Sequence, residues 1–439
     1  MQKVLTVFLL FLSTVCYSGV NGPDNSLADE QPVNKEERKS AEADSSRMIW
    51  PDEHWNENRD VFGVRGVRFS LGYKADNFSN FSGGLKQAGS YLHNIDFSVG
   101  LDAEKLMDWK GASFFVQAIS NNGGGLSASI GSTQQISNID APKVAKLYQA
   151  WVQQNFMDGD ISLLAGLYDL NTEFYLTKAS HAFLNRSFSV GKEFSQTGTN
   201  GPSIFPNTAA ALRVKLRASD SWSFQFAVLD AVPGSADSPL MPSFFMSMDD
   251  GALVVNEVAY SWGGVNERTI GRGKYTLGLW FYTASFNEIQ AIAYSGQSLR
   301  STANNGVYLM AEQSVFSERN DPSQGLALFA RVGFANGRIN QYDYNWSCGG
   351  TYTGLFAGRD SDVLSIGATY VNVSSQFKEA KHIANEPIAS GEMVIEFTYR
   401  AQLTSWLAIQ PDVQRIIHPG TSLAVEDATV LGSRIEVGF

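Results

Sequence analysis

Beyond Val61, apolar and polar residues alternate along segments of about ten residues, broken by runs rich in Gly, Asn, Asp and Ser. A period of two is the mark of strands whose two faces meet different surroundings. Strands are predicted near 64–75, 90–103, 111–121, 144–156, 159–170, 207–218, 221–230 and 251–262. The second half adds 273–286, 302–316, 324–337, 350–357, 362–376, 391–402, 405–416 and 428–439. About sixteen strands, an even number, fits an all-β, transmembrane, antiparallel outer-membrane barrel. Connections after even-numbered strands are mostly short, as at 157–160, 219–221, 358–361 and 403–404, whereas those after odd-numbered strands are long, up to 171–206. Short turns on one side and long loops on the other are the sidedness of such barrels, with the turns periplasmic.

Parity assigns faces. In the sixth strand Leu212, Val214 and Leu216 point to lipid, leaving Arg213, Lys215 and Arg217 as a basic ladder in the lumen. In the fourteenth, Met393, Ile395, Phe397 and Tyr399 face out and Glu392, Glu396 and Arg400 face in. In the second, Ile95, Phe97, Val99 and Leu101 face out against Asn94, Asp96 and Asp102. A lipid-facing Arg or Lys near midplane costs ~2–4 kcal/mol, so this parity is hard to reverse. Trp222, Tyr260, Trp262 and Tyr275 suit interfacial girdles. The fourth strand is ambiguous, because either Tyr148 or Trp151 could be its outward residue. The last strand carries Leu431, Ile435, Val437 and Phe439 outward and Arg434 and Glu436 inward.

Both ends bear on targeting. Lys3 precedes an apolar run from Val4 to Val15, too short to span a bilayer as a helix and expected to be an export signal over 1–22, cleaved after Ser18 or Gly22. Cys16 follows Val15 rather than a small residue, which argues against a lipoprotein. Residues 23–60 are polar and highly charged and read as a flexible or partly helical periplasmic segment, followed by a barrel over 61–439. The terminal Phe439 resembles the aromatic signal read by the barrel-assembly machinery of Gram-negative bacteria. Outer-membrane lipid and lipopolysaccharide are the expected surroundings, and the chain would be a monomer or a homotrimer.

Composition agrees. Glycine is plentiful and proline sparse, at 40 and 13 residues, and the net charge is −11. Mean hydropathy is −0.14, as expected when alternating faces cancel. An acidic chain argues against a nucleic-acid partner. No G-x-S-x-G elbow, HExxH or CxxC pair occurs, so catalysis, a metal site and a cofactor are all unsupported. Once the export signal is removed Cys348 is the one cysteine left, and it reads as a loop residue rather than a nucleophile.

Three groups of motifs then resemble the carbohydrate-selective porins of the OprB family. They are L-A-I-Q-P-D-V-Q-R-I-I-H-P-G from Leu407 with the closing V-L-G-S-R-I-E-V-G-F; G-L-Y-D-L-N-T-E-F-Y from Gly166, with F-L-N-R-S-F from Phe183 and G-P-S-I-F-P from Gly201; and F-S-G-G from Phe81. H-W-N-E-N-R-D from His54 departs from the family's aromatic, Gly-Gly and Arg run before the first strand. The resemblance implies passive uptake of monosaccharides and short oligosaccharides; the alternative is a general or anion- or phosphate-preferring porin. A sugar crossing a narrow pore needs aromatic faces for its C–H surfaces and paired donors and acceptors for its hydroxyls. The long third loop, 171–206, holds such groups in Asn171, Glu173, Phe174, Tyr175, Phe183, Asn185, Arg186, Phe188 and Phe205. Folded inward, it would form the constriction opposite Arg213, Lys215 and Arg217, with Glu396, Arg400, Asp412, Gln414, Arg434 and Glu436 on the remaining wall.

Overall fold

Alternation carries through to the architecture, because sixteen strands close into one antiparallel barrel in which each strand pairs with its sequence neighbours and the last pairs with the first. The computed structural model describes residues 66–439, apart from 235–237, 239, 248, 264–271, 290–299, 322 and 387. The expected export signal at 1–22, the segment at 23–60, His54 and the first residues of the expected barrel lie outside the described residues. The first eight strands are β1 Val67–Ser82, β2 Gly89–Asp102, β3 Ala112–Gly123, β4 Val144–Phe156, β5 Ile161–Tyr168, β6 Ala209–Arg217, β7 Trp222–Asp230 and β8 Ala252–Trp262. The others are β9 Gly273–Asn287, β10 Ser301–Ser317, β11 Gly325–Ala335, β12 Tyr342–Thr353, β13 Val363–Val373, β14 Gly391–Thr404, β15 Leu407–Ile417 and β16 Ala428–Gly438.

The faces follow parity. Leu212 is 57% exposed and Arg213 2%. Ile395 and Phe397 are exposed while Glu392 and Glu396 are sealed inside, and β16 shows Leu431 and Ile435 outward with Arg434 buried. Closure places Tyr73 opposite Val437 and Asp76 opposite Arg434. Leu71 and Phe439 exchange both backbone hydrogen bonds at 2.9 Å, and the Phe439 ring stacks on Trp406 at 6.0 Å. Trp222, Tyr260, Trp262 and Tyr275 form one run of ring contacts at 4.9, 6.2 and 4.7 Å, near the ends of β7, β8 and β9 that face the short turns.

Four local expectations change. Tyr148 and Trp151 both turn inward, because Gln117 pairs with Gln149 and Ala118 with Leu147, leaving Tyr148 as an extra residue in β4. Such a bulge inserts one residue without flipping the rest of the strand, which is why neither parity fitted. β12 begins at Tyr342 rather than 350, so Cys348 lies in a strand, not a loop. Gly349 and Gly350 look like a break but pair with Phe329 and Leu328 of β11, and a side chain on Gly349 would meet Ile366 O at 2.7 Å and the Phe329 ring at 2.9 Å. β1 runs on to Ser82, so F-S-G-G straddles its end, and Gly83 and Gly84 at φ 67° and 70° make the turn. Finally, the connections at 83–88 and 336–341 are short although they follow odd strands, so sidedness holds on average only.

Candidate pore constriction

Two loops turn into the barrel. Residues 169–208, between β5 and β6, were expected there; residues 124–143, between β3 and β4, were not. Backbone groups need partners wherever water is excluded, and here the wall supplies them. Glu396 accepts the N–H groups of Leu184 at 2.6 Å and Asn185 at 2.9 Å. Asn185 in turn donates its amide to Gln414 at 3.1 Å, and Gln414 donates to Ile136 O at 2.8 Å and to Asp412 at 2.9 Å. Glu392 accepts from Ser132 Oγ, from the amides of Thr133 and Gln134 and from Gly420 N, at 2.6–2.9 Å. The loops also hold each other, through Asn138 N–H to Leu184 O at 2.7 Å and Arg186 N–H to Gln135 O at 3.2 Å.

Farther round the wall, on β8 and β10, Tyr175 N–H donates to Glu257 at 2.7 Å, and Tyr308 O–H donates to the same oxygen at 2.5 Å. Arg331 donates to Ser189 O at 2.9 Å, to Ser347 Oγ at 2.7 Å and to Ser187 O, while its guanidinium lies 5.3 Å from the Tyr175 ring centre. Phe183 stacks on Phe188 at 4.2 Å, and both meet Phe329. Phe174 packs into the main apolar cluster with Phe194 and Trp280.

The residues singled out from the sequence therefore fall into three groups. Arg213 and Lys215 converge on Glu173 at 2.8 and 3.4 Å, and Arg213 also donates to Ser162 and Gln153. Burial raises Glu173, but Arg213 and Lys215 more than offset it and hold the carboxyl below its ordinary range. Arg434 grips Asp76 at 2.6 Å and reaches Asn138 at 2.8 Å, beside Glu436, which pairs with Arg400 at 2.9 Å. Asn185, Glu396, Asp412 and Gln414 make the third group and are all sealed from solvent. Arg217 stands apart, paired with Asp160 beside the 157–160 turn. Asn171 donates to Phe174 O at 3.1 Å, within its own loop. Half-buried groups remain along the loops, among them Asn138, Arg186 and Phe205. The Phe205 ring meets the Tyr148 ring edge-on at 6.1 Å, its carbonyl accepts from Arg186, and Tyr148 donates to Asp169.

Sequence reasoning missed the 124–143 loop, although S-T-Q-Q-I-S-N at 132–138 offers short polar chains suited to bridging. It also missed Arg331, which stands alone in the apolar strand L-A-L-F-A-R-V-G-F-A and has to face inward.

Glu193, on the short helix Lys192–Ser195, presses against the wall where a Cβ on Gly333 would lie 1.8 Å from its carboxyl. Burial pushes its carboxyl up to about 7, against the opposing Tyr175 hydroxyl and Arg331. A carboxyl raised in the folded state stabilises fully below its ordinary pKa and loses that contribution as pH rises through about 7. The 190–197 amides are accordingly expected to exchange hydrogen faster at about pH 8 than at about pH 5.5, after correction for intrinsic rates. Glu193→Gln should flatten the dependence, and a wild-type profile without it would overturn the assignment.

Comparison with known proteins follows the same lines. Residues 86–439 match the family model described as carbohydrate-selective porin, OprB family. Porin B of Pseudomonas aeruginosa is 26% identical over 434 residues, covering 91% of this chain and 93% of that protein. The putative porin QuiX of Acinetobacter baylyi is 21% identical over 427 residues, covering 88% and 92%. The high-pH structure of Pseudomonas putida OprB superposes with a TM-score of 0.76 at 22% identity, over 85% of this chain and 94% of that one, a likeness of fold.

Proposed function

This chain belongs to the OprB family of carbohydrate-selective porins, and from that premise we propose that sugars cross the outer membrane through the gap left beside its two inward loops. It is a channel of the Gram-negative outer membrane and passes carbohydrate by passive diffusion. The observation that carries the finer reading is the double loop. Buried charged and amide side chains of the wall bind both loops from within, so a fixed polar frame narrows the lumen. On this reading the sealed residues Asn185, Arg213, Glu396, Asp412, Gln414 and Arg434 hold the frame, with Phe174 and Phe183 packed behind it. Lys215, Arg217, Arg400 and Glu436 set the field of the lumen around it, with Asn171 and Glu173 on the loop. Solute meets Arg186 and Phe205, where a ring and a guanidinium donor lie together, and Asn138 on the other loop, which Arg434 holds. On this reading the gap passes monosaccharides and, end-on, short oligosaccharides.

The same reading includes cleavage of 1–22, a periplasmic 23–60 segment, a lipopolysaccharide-containing membrane around the barrel and recognition of β16 with Phe439 by the assembly machinery. Liposome swelling tests the pore directly. Glucose should enter vesicles holding the protein several times faster than a long maltodextrin. Equal rates would mean that the two loops do not set the cutoff. Block of ion current by phosphate, with none by glucose, would favour the anion-porin alternative.

A further inference from the structure

Inside this barrel cationic side chains are mostly answered by fixed acids or fixed oxygens. Arg213 and Lys215 share Glu173, Arg400 meets Glu436 and Arg434 grips Asp76. Arg331 is spent on Ser187, Ser189 and Ser347. Among the described residues, three cations on or beside the 169–208 loop depart from this pattern. Lys146, opposite the inward Ile119, donates to the neutral amide of Asn207 at 3.3 Å. Arg186 donates to the carbonyl of Phe205. Lys192 is half-buried on the face of its short helix turned away from Glu193 and Phe194, and no side chain or carbonyl accepts from its ammonium. None of the three makes an ion pair there.

The acids that face them are already taken. Asp169 accepts from Tyr148 O–H and from Asn171 N–H at 2.8 Å, and burial lifts it to about 6. Asp140 accepts from Ser127 Oγ at 2.5 Å. Glu392, on β14, is surrounded by its loop donors. Burial, then the charge of Arg186, lowers Lys192 to about 8, while Glu392 opposes the fall. Through Asn207 and the Phe205 carbonyl, Lys146 and Arg186 thus leave positive charge beside the edge-on rings of Phe205 and Tyr148, and Lys192 lies two residues past Val190, whose N–H donates to Arg186 O at 3.2 Å. A neutral sugar does not call for it. A carboxylate does, because a partly desolvated cation gains most from an anion that brings its own acceptor oxygens.

We propose that Lys146, Arg186 and Lys192, with the Phe205 ring, form a subsite for hydroxylated solutes that carry a carboxylate, of the uronate or aldonate class. The proposal rests on the sugar-pore reading and adds a substrate class to it. Planar-bilayer recordings with the full-length protein test it, using glucuronate, glucose and acetate as blockers near pH 7. Glucuronate should half-block the current at a concentration about fivefold or more below that of glucose, as expected for a gain of one attractive charge contact at short range. Acetate, which lacks hydroxyls, should block far less well than glucuronate. In the K146Q/K192Q double variant the glucuronate-to-glucose preference should fall towards one. The wild type provides a second readout that needs no variant. Raising the pH from about 7 to about 9.5 discharges Lys192 but not glucuronate, so the preference should shrink.

Glucuronate blocking no better than glucose overturns the subsite and leaves the sugar pore standing. Acetate blocking as well as glucuronate reduces the site to a general anion trap and also overturns it. A preference that survives both the double variant and the rise in pH removes the lysines from the subsite. If neither glucose nor glucuronate blocks and neither enters vesicles, both readings fall together.

Discussion

Glu396→Ala is expected to raise single-channel conductance severalfold and to abolish sugar block, although the protein remains a folded barrel. Glu396 is 0% exposed and accepts the amides of Leu184 and Asn185. Alanine would leave both N–H groups buried without a partner, at a cost of about 1–3 kcal/mol each. The barrel's ladder is untouched, because β14 pairs with β13 and β15 through its backbone. The loop has the cheaper way out, which is to lift its 183–186 tip off the wall and take up water. The Asn138–Leu184 and Arg186–Gln135 contacts then loosen the 124–143 loop as well. Glu396→Gln keeps one acceptor and should give an intermediate conductance. Wild-type conductance in the alanine variant would show that Glu396 does not hold the loop.

Asp76→Ala acts on the barrel itself. The Arg434 guanidinium is buried between β16 and β1, with Asp76 at 2.6 and 2.8 Å on two nitrogens, and Asp76 also accepts from Ser137 Oγ at 2.6 Å. Removing one partner of a buried pair strands the other charge, which costs about 3–5 kcal/mol. The unfolding midpoint in denaturant should fall accordingly, and the heat-resistant form of the barrel should be lost at lower temperature. Asp76→Leu combined with Arg434→Met removes both charges and should recover most of the loss. If the double variant were no better than Asp76→Ala, the penalty would come from the lost Ser137 contact rather than from the stranded arginine.

Strand number, inward and outward faces and the identity of the long loop are legible in the chain, because each rests on a local rule. Lipid tolerates no charge cheaply at midplane, so the placement of Arg213 and Glu396 follows from residues two apart. The bulge at Tyr148 and the early start of β12 escape that rule. Both depend on what lies across the sheet, Gln117 in one case and Phe329 in the other. The candidate site was legible by residue type and not by partner. Glu173, Arg213 and Lys215 are polar groups in plausible places, but that they close on each other depends on a loop crossing the lumen.

By itself, then, the sequence determined a sixteen-stranded membrane barrel with its polar face inward and a third loop long enough to enter it. Its period-two pattern is read by water and lipid one residue at a time. Tertiary structure alone decided that a second loop, 124–143, enters as well, and that most lumen charges are spent on holding the loops and each other. It also decided which charges are left over. That outcome depends on contacts between residues as far apart as Asp76 and Arg434, and no local pattern encodes whether a charged side chain will find its partner.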